Sequence, residues 1–199
     1  MNAAERRQLI RRRNGIFLIF GLSGIGLANL IARLPAIRDL LDVGAQEVGF
    51  FLFAGATGAI LGLLVASHII AYLGVRKSIA IFGLLIFVAV GSVGLVGEAT
   101  GSLILTSSVM ILFGAGMSVT DVAMNVEGAE VERKLERTLM PWYHAMFSLG
   151  TVVGGGMAAL ASALDIGVAS HLGLTALVLG AFVFWVIALL SHSPEGAAA

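Results

Sequence analysis

Residues 103–126 read LILTSSVMILFGAGMSVTDVAMNV. A helix needs about 20 apolar residues to cross a bilayer core of about 30 Å, and this stretch is long enough. It nevertheless carries Asp121 and Asn125 near its end. An acid and an amide inside such a run are costly in hydrocarbon, so they require water or a protein partner. Five further apolar runs surround it, at 15–34, 48–70, 78–97, 140–163 and 171–190. Hydrophobic residues make up 58% of the 199 positions, charged residues 12%, and mean hydropathy is +1.00. No soluble globular class fits that composition.

Lipid offers no hydrogen-bond partner to bare peptide groups, so only helices or closed barrels can span it. These runs are too long for barrel strands and lack their strict alternation. The expected fold is an all-α membrane protein with six transmembrane helices. It forms a single domain over 1–199, with a polar cytoplasmic tail at 191–199. Gly58 with Gly62, and Gly150 with Gly154, have the four-residue spacing that lets membrane helices approach closely. The chain has no cysteine, which removes disulfides and thiolate metal sites, and nothing calls for a cofactor or a metal.

Zero formal net charge hides an asymmetry. With the N-terminus in the cytoplasm, Arg6, Arg7, Arg11, Arg12, Arg13, Arg76, Lys77, Arg133, Lys134 and Arg137 all lie inside. Only Arg33 and Arg38 fall outside, and the positive-inside rule then places both ends in the cytoplasm. The expected location is the cell (inner or plasma) membrane, as a multi-pass protein. Arg-rich residues 6–13 read as a topology signal on an uncleaved first helix. A signal peptide, a twin-arginine signal or a nucleic-acid patch fits less well, since Ile31-Ala32-Arg33-Leu34-Pro35 offers no clear small-x-small cleavage site.

The connections differ in character. An outer loop runs from Pro35 to Gln46, a tight inner turn covers 73–77, and a short outer turn covers 98–102. A charged inner segment, Glu127 to Thr138, is expected to continue the fourth helix, since opposite charges three or four apart support a solvated helix. Polarity is concentrated in the first, second, fourth and fifth helices. Ser23 and Asn29 lie in the first, and Tyr143, His144, Ser148 and Thr151 in the fifth. The third and sixth hold little besides Ser92 and Thr175 and are suited to face lipid. That three-plus-three pattern suggests two three-helix repeats.

Gly114, Ser118, Asp121, Asn125 and Gly128 follow one another by three or four, and therefore share a face of the fourth helix. His144, Ser148, Thr151 and Gly155 do the same in the fifth. Asp121 and His144 are equally distant in sequence from the middle of the inner connection, which in an antiparallel pair puts them at similar depth. The expected substrate- and proton-binding set is Asp121, Asn125, His144, Ser148, Ser118 and Asn29. A carboxylate and an imidazole in one polar face suit proton exchange, and the amide and hydroxyls suit solute hydrogen bonding. The competing account is structural, with Asp121 and Asn125 bonding a neighbouring helix or Asp121 lying at the interface in water.

These residues carry a resemblance. The chain resembles the amino-terminal six-helix half of a major facilitator superfamily transporter, whose fold has twelve helices in two such halves. The turn Gly74-Val75-Arg76-Lys77 is similar to the end of that superfamily's signature and is taken as a cytoplasmic gate turn of Gly74, Arg76 and Lys77. The signature's acid falls on Ala71, its early glycine on Ser67, and the arginine expected in the fourth helix on Met110. The usual charge network at that gate is therefore in question. Arg33-Leu34-Pro35-Ala36-Ile37, Asp121-Val122-Ala123-Met124-Asn125 and His144-Ala145-Met146-Phe147-Ser148-Leu149-Gly150 are similar to the fucose-permease-like branch. In such symporters the fourth-helix acid takes part in proton coupling, which the resemblance transfers to Asp121.

The expected function is therefore a transporter, or transporter half, moving a small polar solute such as a sugar by proton-coupled alternating access. Its partners are the solute, protons, the bilayer and a second six-helix half, from a separate chain or a second copy; nucleic acid is not expected. The chain reaches Ala199 where a long central loop would ordinarily begin, and a split or truncated transporter is preferred to a self-pairing half. The main alternative is a non-transporting membrane scaffold or remnant. An enzyme is not expected. Gly21-Leu22-Ser23-Gly24 matches the short nucleophile motif of intramembrane serine proteases, but in the first helix instead of the fourth.

Overall fold

The computed structural model describes residues 2–190, which fold into seven helices: α1 (Ala3–Ala32), α2 (Leu34–Leu41), α3 (Ala45–Leu73), α4 (Val75–Thr100), α5 (Leu103–Leu135), α6 (Met140–Ala163) and α7 (Val168–Leu190). All except α2 are long and apolar enough to cross a membrane, so this is an all-α, six-span, multi-pass membrane protein. The tail expected at 191–199 lies outside the described residues.

The helices outrun the apolar runs where local chemistry extends them. Asn2 caps α1 by accepting from the Glu5 amide at 2.8 Å, while the Glu5 carboxylate accepts from the Asn2 amide at 2.9 Å. This reciprocal box starts the helix at Ala3, so the N-terminal arginines ride on an ordered extension of the first span. The outer loop expected from Pro35 to Gln46 is instead largely helical, as α2. Pro35 sits in its first turn, where a missing N–H costs nothing, and Ile37 and Leu41 are buried one turn apart. Between α3 and α4 only Gly74 is non-helical, at φ 79° and ψ 155°, a conformation suited to glycine.

Hydrophobic burial does not drive helix association in lipid, so close backbone packing must. Gly58 and Gly62 of α3 meet Gly114 and Ala115 of α5 at such a crossing. A Cβ on Gly58 would fall on the Ile111 carbonyl, and one on Gly114 on the Gly55 carbonyl. The α1–α6 crossing repeats the design. A Cβ on Gly24 would meet the Phe147 carbonyl, one on Gly150 the Gly21 carbonyl, and one on Gly154 the Ile25 carbonyl. α4 packs against both α5 and α7, and α7 also packs against α1. Exchanging α1, α3 and α4 for α5, α6 and α7 swaps α3–α5 with α1–α6 and α4–α5 with α1–α7 and leaves α4–α7 unchanged, the pattern of two three-helix repeats.

Polarity misjudged how enclosed two helices are. α1, read as lining something wet, is the inner helix: Ser23 and Asn29 are 1% and 0% exposed, because α4, α5, α6 and α7 all pack around it. α4, read as lipid-facing, buries Ser78, Ile79, Ile86, Phe87, Val90 and Val93 between its neighbours. Only a flank bearing Ile81, Val88 and Leu95 stays open.

Candidate functional site

α5 and α6 touch each other little, and α1 packs against both, so an open face runs along this side of the bundle. Asp121, His144 and Ser148 are exposed on it, and Asn125, Ser118 and Thr151 are half-buried. Asp121 and His144 are near enough for their charges to interact. The His144 ring stands edge-on to Phe20 of α1, with centroids 5.2 Å apart, and Phe20 in turn stacks on Tyr143 at 5.6 Å. Phe20 and Tyr143 are both buried, so the imidazole rests against a fixed ring.

The polar groups on this face lean on their own helices. Asn125 Nδ2 donates to the Asp121 carbonyl at 2.8 Å and to Asp121 Oδ1 at 3.2 Å. Ser148 Oγ donates to the His144 carbonyl at 3.1 Å, and Thr151 Oγ1 to the Ser148 carbonyl at 2.7 Å. Asp121 keeps acceptor capacity beyond the Asn125 bond, since a carboxylate has about four lone-pair sites. The ends of the α5 stripe are packed instead: Gly114 lies against α3, and Gly128 against Met140 and Tyr143 of α6. Asn29 lies apart from this face. It is buried between α1 and α7, with Nδ2 3.4 Å from Thr175 Oγ1.

At the basic end of the bundle the structure assembles a charge cluster that the sequence reading missed. Glu127 of α5 is 4% exposed and accepts from Arg12 Nε of α1 at 2.7 Å. Arg76, in the first turn of α4, approaches the same carboxylate oxygen at 3.9 Å. Gly74, which caps α4, and Lys77 in its first turn are exposed.

Beyond the apolar run that ends at Val126, Glu132 clasps the start of α6. Its carboxylate accepts from the Leu139 amide at 2.5 Å and the Met140 amide at 2.7 Å, taking the role of the side-chain cap that Leu139 cannot supply. The Met140 and Leu139 amides hold this carboxyl below its ordinary 4.5. A lowered folded-state value means that the clasp contributes above pH 4.5 and is lost as pH falls below it. Glu132→Ala is expected to speed hydrogen exchange at the first-turn amides of α6 at pH 7, and wild-type protein to approach that rate only in acid.

Among the described residues no group of three or more His, Asp or Glu side chains is placed to hold a metal. Ser23 Oγ of the protease-like motif is buried and has no hydrogen-bond partner among the described residues.

Fold and site thus define a six-span membrane protein with one polar, titratable face. The chain is similar to an uncharacterized transporter of Sinorhizobium fredii, 27% identical over 174 residues, which covers 87% of this chain and 45% of the relative. It is also similar to an uncharacterized MFS-type transporter of Yersinia pestis, 28% identical over 144 residues, covering 72% of this chain and 36% of the relative. The chain therefore spans less than half the length of these curated relatives. No family model matches it, and no solved structure does.

Proposed function

We propose that this chain is a six-helix half of a major facilitator transporter of the fucose-permease-like branch. It moves a small polar solute, with sugars the first candidates, by proton-coupled alternating access. The observation that carries the reading is the exposed acid and imidazole of Asp121 and His144, with the half-buried amide of Asn125, on one face of an apolar bundle. Lipid is a poor medium for that face, which favours a water-filled path closed by a second six-helix half. Asp121 is the proton carrier, His144 tunes it electrostatically, and Asn125, Ser118 and Ser148 offer solute hydrogen bonds. Asn29 enters this set only as a buried support of α1 against α7. Both termini lie in the cytoplasm and the protein sits in the inner membrane, in keeping with the basic residues gathered at one end. The Arg12–Glu127–Arg76 cluster closes the bundle at that end and positions the gate turn.

The relatives' names support a transporter, and their greater length supports a second half. The test is uptake into vesicles carrying this chain with its second half, across a panel of monosaccharides, with internal pH followed by a dye. Solute-driven proton entry is expected in wild type and is expected to vanish in Asp121→Asn. Proton entry that persists in Asp121→Asn contradicts the coupling role. Loss of no activity in Asn125→Ala and His144→Ala favours the scaffold reading.

A further inference from the structure

The opposite end of the bundle holds a second polar constellation. Arg33 caps the C-terminus of α1 and is 4% exposed, while His171 in the first turn of α7 is 8% exposed. Asn29 and Arg33 lie four residues apart along α1, as do His171 and Thr175 along α7, so each pair shares one helix face. The Asn29–Thr175 contact sets an antiparallel register that brings Arg33 opposite His171. Those two side chains interact electrostatically but share no hydrogen bond.

The hydrogen-bond inventory around them is incomplete in one direction. One terminal nitrogen of Arg33 donates to Ser162 Oγ at 2.8 Å and the other to the Ile166 carbonyl at 2.6 Å, both neutral acceptors. Arg33 Nε has no partner, and neither ring nitrogen of His171 has one. No carboxylate pairs with Arg33 among the described residues. The C-terminal ends of α1 and α6 offset the guanidinium only in part, and the N-terminus of α7 adds positive potential. A buried cation calls for a counter-charge, and an imidazole in either protonation state has at least one N–H to give.

We propose that Arg33 Nε–H and a ring N–H of His171 bind a small monovalent anion, of chloride or carboxylate size, between α1, α6 and α7. The anion bridges the end of α1 to the start of α7, while Arg33 pins the α6–α7 turn. Burial of both donors favours a free ion over a lipid phosphate, whose glycerol and chains need an open side. The site is separate from the Asp121 face and does not depend on the transport reading.

The test uses the full chain purified in neutral detergent, with chloride exchanged for gluconate at constant ionic strength. The melting temperature of wild type is expected to rise with chloride and saturate, and the 35Cl resonance to broaden. His171→Leu and Arg33→Gln are each expected to abolish both responses. If Arg33→Gln does not fold, His171→Leu decides alone. Equal melting in the two salts, or a chloride response that survives in His171→Leu, overturns the proposal. Stabilisation by phosphatidylglycerol without any chloride effect also overturns it, in favour of a headgroup.

Discussion

Replacing Glu127 with alanine is expected to cost about 3–5 kcal/mol of unfolding free energy, the range for stripping one partner from a buried ion pair. The Glu127 side chain is 6% exposed and that of Arg12 9%, so water cannot take over the lost contact. Arg12 would be left on an enclosed flank of α1, and Arg76 nearby would add like charge. Arg76→Ala is expected to cost less, because its side chain is 22% exposed and its nitrogen stands 3.9 Å from the carboxylate. The double variant Arg12→Met/Glu127→Leu is expected to recover most of the loss, since apolar replacement removes both desolvation penalties together. Denaturant unfolding in detergent micelles measures all three. A Glu127→Ala protein as stable as wild type would mean that the cluster is solvated.

Gly58→Ala and Gly150→Ala are each expected to destabilise the bundle by at least the about 1–3 kcal/mol of ordinary overpacking. Both added methyls would land on backbone, the Ile111 carbonyl for one and the Gly21 carbonyl for the other, and backbone cannot swing away as a side chain can. The helices must separate along the whole crossing instead, which forfeits the close contact that substitutes for hydrophobic burial in lipid. Gly156→Ala is the control. A Cβ there meets nothing within 4 Å, so the substitution is expected to be neutral or to gain about 0.5–1 kcal/mol from helix propensity. Similar losses for Gly58 and Gly150, set against a harmless Gly156 change, would show the two crossings to be equivalent.

The spans and one glycine pair of each crossing were legible in the sequence, because the bilayer dictates run length and small residues dictate approach; which helices cross there was not. α2 was not, since eight residues with a proline and two charges read as loop; its only signal was Ile37 and Leu41 one turn apart. Glu127 was hidden by company. It heads a string with Glu130, Glu132 and Glu136 that reads as a solvated helix, yet it lies three residues after buried Met124 and four before buried Val131. That spacing was the available clue, and the charge of its neighbours outweighed it. Arg33 and His171 could not be paired from sequence, because 138 positions apart they meet only once α1 and α7 are in register. Asp121 and His144 were easier, being placed evenly about one connection.

The central claim is that the face of Asp121, Asn125 and His144 meets water inside the membrane. The chain contains no cysteine, so single cysteines can be introduced without a background. Ser118→Cys and Ser148→Cys test the face, and Leu177→Cys on α7, 75% exposed, tests the lipid side. In native membranes, both serine positions are expected to react with a charged, membrane-impermeant maleimide, and Leu177→Cys to stay unreactive. Silence at both Ser118→Cys and Ser148→Cys, matching Leu177→Cys, would contradict the account.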